Sequence, residues 1–309
     1  MYLSQEQAND KDLIRELAGQ MIQDKAHDVR ALNGHIAYNY EINHKWIFKL
    51  PSFRTNPDLW IAQSQYMPKL QQQLKYQIPV PKIQHFGLPQ GKVIGCCYPK
   101  IQGKIFSKSN FCQLSLSQKG GFFEELAQAI EQLHAVSPDS LGYSFNDTIE
   151  QLSKFLFKDV PDKEKLFTQR IKKSFHERGI SLKNDLLCHT DLHANNVVLD
   201  SRNHIVGLLD FDGLSLGDSF MEFRPNLYDS KDLNLLRHIY QQKTTHPIDV
   251  KATKCMEELY EQAFLFYSLG SFVKSANTRL KPKTELISKK EISHIFKTNT
   301  DHWSHFGRD

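Results

Sequence analysis

Five polar residues between positions 186 and 212 have the types and the spacing that metal-assisted chemistry needs. They are His189, Asp191, Asn196, Asp210 and Asp212. Two short apolar runs, joined by the turn-forming residues 200–203, separate the first three from the last two and predict a β-hairpin. Such a hairpin brings Asn196 and Asp210 to one edge of the ladder, with Asp191 in the loop that leads in. Mg²⁺ prefers oxygen ligands of this kind, and a further carboxylate beside the metal suits phosphoryl transfer.

The same stretch resembles the aminoglycoside phosphotransferase family, small-molecule relatives of protein kinases that include choline kinase-like enzymes. The resemblance rests on H-x-D-x-x-x-x-N at 189–196, on D-F-D at 210–212 and on the Gly-Asp pair at 217–218. It implies a two-lobed, protein-kinase-like α+β fold. In such a fold a small, β-rich N-terminal lobe and a larger, mainly helical C-terminal lobe hold the nucleotide between them.

The resemblance also implies a role for each polar residue of the motif. Asp191 accepts the proton of the acceptor hydroxyl, Asn196 and Asp210 hold Mg²⁺, and His189 supports the catalytic loop rather than acting as the base. The expected reaction is Mg²⁺-dependent transfer of the γ-phosphoryl group of ATP or GTP to a hydroxyl of a small molecule.

Residues near the N-terminus resemble the nucleotide site of the family. Lys49, in WIFKLP, matches the strand lysine that holds the α- and β-phosphates, and Gly34 belongs to the nucleotide loop. The segment 98–104 resembles the hinge, in which backbone groups of Lys100 and Ile101 bind the base. The loop at Gly34 lacks the G-x-G-x-x-G pattern of protein kinases, which favours the small-molecule branch.

The small-lobe helix departs from the family pattern, because no acidic residue lies between Leu59 and Phe123. The family has a glutamate there to pair with the lysine, and this chain offers Gln63 or Gln65 instead. An amide can accept a bond from Lys49 but adds no charge, so we expect it to orient the ammonium less firmly. A nucleotide-binding pseudokinase therefore remains an alternative, which the intact catalytic motif disfavours.

Hydrophobic spacing predicts the elements that must position these residues. Apolar residues recur at helical spacing in 12–22 and 122–136. The other predicted elements are strands at 36–42, 45–51 and 92–101 and a helix at 61–76, in which Pro68 predicts a kink or a first turn. We expect residues 1–102 to form the nucleotide-binding lobe, with the hinge near 98–104. Residues 103–309 are expected to form the lobe that carries the catalytic loop, the metal site and the acceptor site.

Composition limits the other classes of function. The chain is 40% hydrophobic and 24% charged with a net charge of +4, which is typical of a globular protein and too weakly basic for a nucleic-acid partner. The apolar stretch 263–273 is too short to cross a bilayer and is predicted to be a buried helix. Five scattered cysteines suit a reducing, cytoplasmic location, and Cys188 in its apolar run is predicted to be buried. The oligomeric state stays open.

Acidic residues in the second half of the chain indicate the acceptor. Most acids lie after Phe123, and three of them, Glu222, Glu258 and Glu261, fall in the region that binds the acceptor in the family. Carboxylates attract ammonium groups, so we expect a cationic small molecule, first of all an aminoglycoside antibiotic. The same motifs would serve a kinase of choline, thiamine, a macrolide or a sugar equally well.

Overall fold

The structure, a computed structural model, describes residues 2–32, 37–52, 56–88, 91–150, 161–223 and 228–258. Met1–Glu257 form one compact unit, and Glu258–Asp309 form a second, of which only Glu258 is described. The helix predicted at 263–273 lies outside the described residues. Within them, no helix has both the length and the apolar character that crossing a membrane requires.

A five-stranded antiparallel sheet forms the N-terminal lobe, with the strand order β1-β2-β3-β5-β4. Its strands are β1 (Val29–Leu32), β2 (Ala37–Ile42), β3 (Trp46–Pro51), β4 (Lys82–Leu88) and β5 (Gly91–Pro99). The three strands predicted from hydrophobic patterns correspond to β2, β3 and β5, whereas these patterns predicted neither β1 nor β4. Both lie at the edges of the sheet, where exposed polar side chains hide the alternation on which a strand prediction depends.

Two helices precede the sheet, α1 (Gln5–Asn9) and α2 (Lys11–Ile22). The carboxylate of Asp10 accepts hydrogen bonds from two N–H groups in the first turn of α2, which fixes where this predicted helix begins. On its buried face, Ile14 and Leu17 belong to the same core as Ile42 and Phe48 of the sheet. The amphipathic spacing of α2 therefore packs this helix on the sheet.

The small-lobe helix α3 (Pro57–Gln73) begins at Asn56, whose side chain accepts a hydrogen bond from the N–H of Asp58. Pro57 takes the first helical position, where its missing N–H costs nothing. Pro68 lies inside the helix and not in its first turn. Gln63 lies on the buried face of α3, with only 7% of the residue exposed.

The C-terminal lobe is mainly helical, as predicted. Its helices are α4 (Lys108–Cys112), α5 (Leu116–His134), α6 (Pro138–Leu141), α7 (Pro161–Glu177) and α8 (Ser230–Lys243), with further helical residues at 250–258. Helix α5 begins before the predicted residue 122, because Ser115 and Gln118 form a reciprocal capping box. It packs against α8 and against the strand that leads into the catalytic loop.

Two small ladders hold the catalytic segment. The predicted hairpin pairs β8 (Val197–Leu199) with β9 (Ile205–Leu208), and β6 (Lys104–Ile105), just after the hinge, pairs with β8. The second ladder pairs β7 (Leu186–Cys188) with β10 (Ser215–Gly217). Because β7 ends directly before His189 and β10 begins after Asp212, this ladder fixes both ends of the predicted site.

Candidate active site

The loop between β7 and β8 brings Asp191 and Asn196 into direct contact. The N–H of His193 donates to the carbonyl of Asp191, and the N–H of Asn196 donates to the carbonyl of His193, each at 2.9 Å. The side-chain amide of Asn196 also donates to the Asp191 carbonyl at 2.9 Å and to Asp191 Oδ2 at 3.2 Å. The backbone and this amide together fix the direction of the Asp191 carboxylate.

His189 supports this loop and is in no position to act as a base. Its Nε2 lies 2.8 Å from the carbonyl oxygen of Leu209, and its Nδ1 lies 3.3 Å from the backbone nitrogen of Asp191. Since the Asp191 N–H can only donate, Nδ1 accepts and Nε2 carries the proton. The ring is fully buried against Phe211, with 4.6 Å between the ring centroids. His189 therefore ties the catalytic loop to the strand end before Asp210.

Glu222 lies beneath the loop, which corrects the prediction that it binds the acceptor. Only 1% of the residue is exposed. Its carboxylate accepts hydrogen bonds from the backbone N–H groups of His189 and Thr190. Burial alone raises the pKa of Glu222, but the bonds from His134 and His189 outweigh this effect and lower it. A carboxylate with these bonds is closed to an acceptor and holds the catalytic loop.

The backbone of Thr190 shows how firmly the loop is constrained. Its φ of 66° lies in the left-handed region, which a β-branched residue rarely adopts. Besides its N–H bond to Glu222, its hydroxyl donates to the carbonyl of Gly213 at 3.2 Å. Such a conformation persists only where surrounding contacts impose it, and this is common at functional sites.

Asp210 follows β9, opposite the start of β8. The N–H of Leu209 donates to the carbonyl of Asn196 at 2.8 Å, which joins the two ends of the hairpin. Asp210 has a left-handed φ of 60°. Removal of water by the surrounding residues and the nearby carboxylate of Asp212 raise its pKa above the usual value, although Lys49 and His189 act in the opposite direction. Negative charge is therefore concentrated here.

These residues fit a hard divalent cation. The nitrogen of the Asn196 amide is held by Asp191, so its oxygen is the atom left to face a metal ion. Asp210 adds a carboxylate, and Mg²⁺ is a cation that takes oxygen ligands of both types. A cation would also offset the burial and the repulsion from Asp212 that together raise the pKa of Asp210.

Lys49 lies on β3, opposite Cys96 of β5, and faces a cavity that reaches the segment after β9. The cavity is lined by Lys49, Trp60, Gln63, Pro79, Pro81, Cys96, Tyr98, Asp210, Phe211 and Asp212. Burial by itself lowers the pKa of Lys49, but Tyr98 and the carboxylates of Asp212 and Asp210 raise it above its usual value. The ammonium therefore stays charged beside the predicted metal residues.

The predicted hinge, residues 98–104, begins at the end of β5, and the backbone N–H of Lys100 within it already has a partner. The N–H of Lys100 donates to the carbonyl of Lys45 at 2.8 Å, and its ammonium lies 2.6 Å from a carboxylate oxygen of Glu41. Ile101 is buried against Gly207 of β9. The base-binding roles of Lys100 and Ile101 stay predictions. For Lys100, the carbonyl of Lys45 competes with the base for the N–H group.

Three of the predicted site residues lie at the end of the described residues or outside them. Gly34 and Glu261 lie outside the described residues, and Glu258 is half-buried at the last of them. Their roles remain predictions. Cys188 is fully buried, as predicted, and burial raises the pKa of its thiol well above the usual value, which argues against a nucleophile.

Two features of the site were not predicted. Gln63 does not bond to Lys49 within the described structure, and its amide donates instead to Asp212 Oδ1 at 2.9 Å. Tyr98 lies beside Lys49, with the ammonium 5.5 Å from the ring centroid. The D-F-D motif contained the signal for Asp212, but no local pattern could pair it with a glutamine 149 residues away.

Comparisons with known proteins agree with this architecture. A model of the phosphotransferase enzyme family matches residues 28–242. Among solved structures, the GDP complex of aminoglycoside 2'-phosphotransferase-IIIa is 15% identical with a TM-score of 0.64, over 96% of this chain and 99% of that one. The streptomycin–ATP complex of APH(2")-IIa is 18% identical with a TM-score of 0.56, over 87% and 92%. Macrolide 2'-phosphotransferase MphH from Brachybacterium faecium is 16% identical with a TM-score of 0.57, over 90% and 99%.

Proposed function

Because the chain belongs to the phosphotransferase enzyme family, we propose that it transfers the γ-phosphoryl group of ATP or GTP to a hydroxyl of a small molecule. One observation carries this proposal: Asp191, Asn196, Asp210 and Lys49 gather around the end of the β8–β9 hairpin. A carboxylate base, two oxygen ligands for a cation and a cation for phosphates are the parts that phosphoryl transfer uses.

Each side chain has a separate task in the proposed reaction. Asp191 orients the acceptor hydroxyl and takes its proton, while the Asn196 amide holds the Asp191 carboxylate in place. Lys49 binds the phosphates from the opposite side of the cleft. Asn196 and Asp210 would hold Mg²⁺, which neutralises charge on the phosphates when bound. His189 and Glu222 fix the loop on which Asp191 lies.

An aminoglycoside is the first acceptor that we propose, following the sequence prediction of a cationic substrate. One of the similar structures is named as an aminoglycoside 2'-phosphotransferase, and another is a ternary complex with streptomycin and ATP. A macrolide is the second candidate. The TM-score to a macrolide 2'-phosphotransferase is 0.57, close to the 0.56 of the streptomycin complex and below the 0.64 of the GDP complex. The burial of Glu222 also removes one of the three acids on which the cationic prediction relied.

A cytoplasmic location is also part of this proposal. All five cysteines are free thiols, four of them buried and Cys112 exposed. Free thiols of this number suit a reducing compartment, in which ATP and GTP are also available.

A screen of acceptors tests the proposed function. The purified protein is given Mg²⁺ with ATP or with GTP and a panel of aminoglycosides, macrolides, choline, thiamine and simple sugars, and nucleotide consumption is measured against acceptor-free reactions. We expect consumption above the blank with an aminoglycoside. Consumption with a macrolide alone would reassign the acceptor. Nucleotide binding without consumption, whatever the acceptor, would favour the pseudokinase.

A further inference from the structure

The hydrogen bond between Gln63 and Asp212 connects the small-lobe helix to the metal segment of the other lobe. The Gln63 amide nitrogen lies 2.9 Å from Asp212 Oδ1. Because a carboxylate can only accept, the amide must present its NH₂ group to Asp212. Gln63 is buried, whereas Asp212 is half-buried at the edge of the cavity. A charge-assisted bond in this setting is stronger than one between neutral groups.

Asp212 also acts electrostatically on Lys49. Both side chains line the same cavity, in which Gln63 bonds to Asp212 and the Tyr98 ring lies beside Lys49. Burial lowers the pKa of Lys49, and acidic neighbours raise it, with Tyr98 and then Asp212 contributing most. Tyr98 hydrogen-bonds to Lys49, but burial raises the pKa of Tyr98 and keeps it neutral at pH 7. Of these two residues, Asp212 therefore supplies the negative charge near the ammonium. The carboxylate that faces the lysine therefore comes from the D-F-D segment, not from α3.

We propose that Asp212 supplies the carboxylate that orients Lys49 towards the phosphates, and that Gln63 is the positioning residue that holds Asp212. This proposal rests on the proposed function, because it concerns the nucleotide side of the same site. It accounts for the absence of acidic residues from α3 beyond its first turn, since a glutamate at position 63 would face the Asp212 carboxylate.

The arrangement links nucleotide binding to the geometry between the lobes. A lysine and a glutamate that both belong to the small lobe can pair whatever the position of the large lobe. Here the lysine lies on β3, and its carboxylate lies after β9. The orientation of the lysine therefore depends on the bond between α3 and the D-F-D segment.

An exchange of the two side chains tests the proposal. The variants are Gln63→Glu, Asp212→Asn and the double variant, with Gln72→Glu as a control that adds the same charge at an exposed position of α3. The dissociation constant of a non-hydrolysable ATP or GTP analogue is measured by calorimetry, with and without Mg²⁺ and without any acceptor. Circular dichroism and thermal melting show whether each variant folds.

We expect each single variant to weaken nucleotide binding by about tenfold, because Gln63→Glu opposes two carboxylates and Asp212→Asn removes the partner of Lys49. The double variant should recover to within about threefold of the wild type, because the amide introduced by Asp212→Asn would donate to a glutamate that now faces Lys49. Gln72→Glu should bind as the wild type does. If Gln63→Glu fails to fold, the uncharged Gln63→Met should still weaken binding through loss of the donor.

Three results would overturn the proposal. The first is nucleotide binding by Gln63→Glu that equals or exceeds that of the wild type. The second is a double variant no better than the weaker single variant. The third is a defect of Asp212→Asn that disappears without Mg²⁺, which would make Asp212 a metal ligand and leave the proposed function intact. A wild-type protein that binds no nucleotide would overturn both proposals, whereas a failed acceptor screen leaves this measurement unaffected.

Discussion

Glu222→Gln should damage the fold and the catalytic rate, and should not act on the affinity for the acceptor. The buried carboxylate accepts two backbone N–H groups, those of His189 and Thr190. Glutamine keeps the shape but presents an NH₂ group to one of these donors. The variant loses a charged acceptor, and its NH₂ group faces a backbone N–H donor. Together these changes should lower the free energy of unfolding by about 2–4 kcal/mol. A displaced Asp191 should lower kcat by about 10²-fold.

Urea unfolding and steady-state kinetics measure the two effects, with Glu124→Gln on exposed α5 surface as the matched control. The control should change stability by less than about 0.5 kcal/mol. Hydrogen bonds to the carboxylate hold the pKa of Glu222 below its ordinary value despite its burial. Its stabilisation is therefore fully present above that ordinary value and is lost as the pH falls through the lower folded-state pKa. The stability difference from the wild type should therefore shrink in acid. A Glu222→Gln protein of normal stability and kcat, with only a raised KM for the acceptor, would refute this reasoning.

Three further variants test the site and the residues that surround it. Asp210→Ala should abolish the Mg²⁺-dependent part of nucleotide binding in calorimetry, and unchanged metal dependence would remove Asp210 from the metal site. Cys188→Ala should keep kcat within about tenfold of the wild type, because a buried thiol of raised pKa is no nucleophile; complete loss of turnover in a folded variant would contradict this. Gly103→Ala should lower Tm, since φ is 146° and the added Cβ would lie 2.5 Å from the carbonyl oxygen of Leu199. An unchanged Tm would mean that the hinge relaxes freely.

Local sequence patterns were sufficient for much of the fold and for the placement of Asn196 near Asp210. Apolar runs joined by turn residues predicted the β8–β9 hairpin, and its ladder explains why Asn196 and Asp210 lie at one edge. Helical spacing likewise predicted α2 and α5. These predictions hold because the determining residues are close in sequence, so that hydrophobic period and turn chemistry suffice.

The remaining features depend on contacts between distant residues. The sequence predicted that Glu222 binds the acceptor, and only its burial beneath the loop shows that it binds backbone N–H groups. Gln63 reads as a substitute for a missing acid, whereas its partner is Asp212 in the other lobe. The edge strands β1 and β4 were missed because their exposed residues carry no clear alternation. Tertiary packing determines these partners and edge strands, and a local sequence pattern does not contain that information.

The central claim is that Asp191 orients and deprotonates the acceptor beside a metal-bound nucleotide, and single-turnover transfer tests it most directly. Enzyme saturated with nucleotide carrying a labelled γ-phosphate is mixed with the acceptor that the screen identifies, and labelled product is followed by rapid quench for the wild type and for Asp191→Asn. We predict that Asp191→Asn binds the nucleotide with unchanged affinity but transfers the label at least about 10²-fold more slowly. Transfer by Asp191→Asn at the wild-type rate would contradict the account.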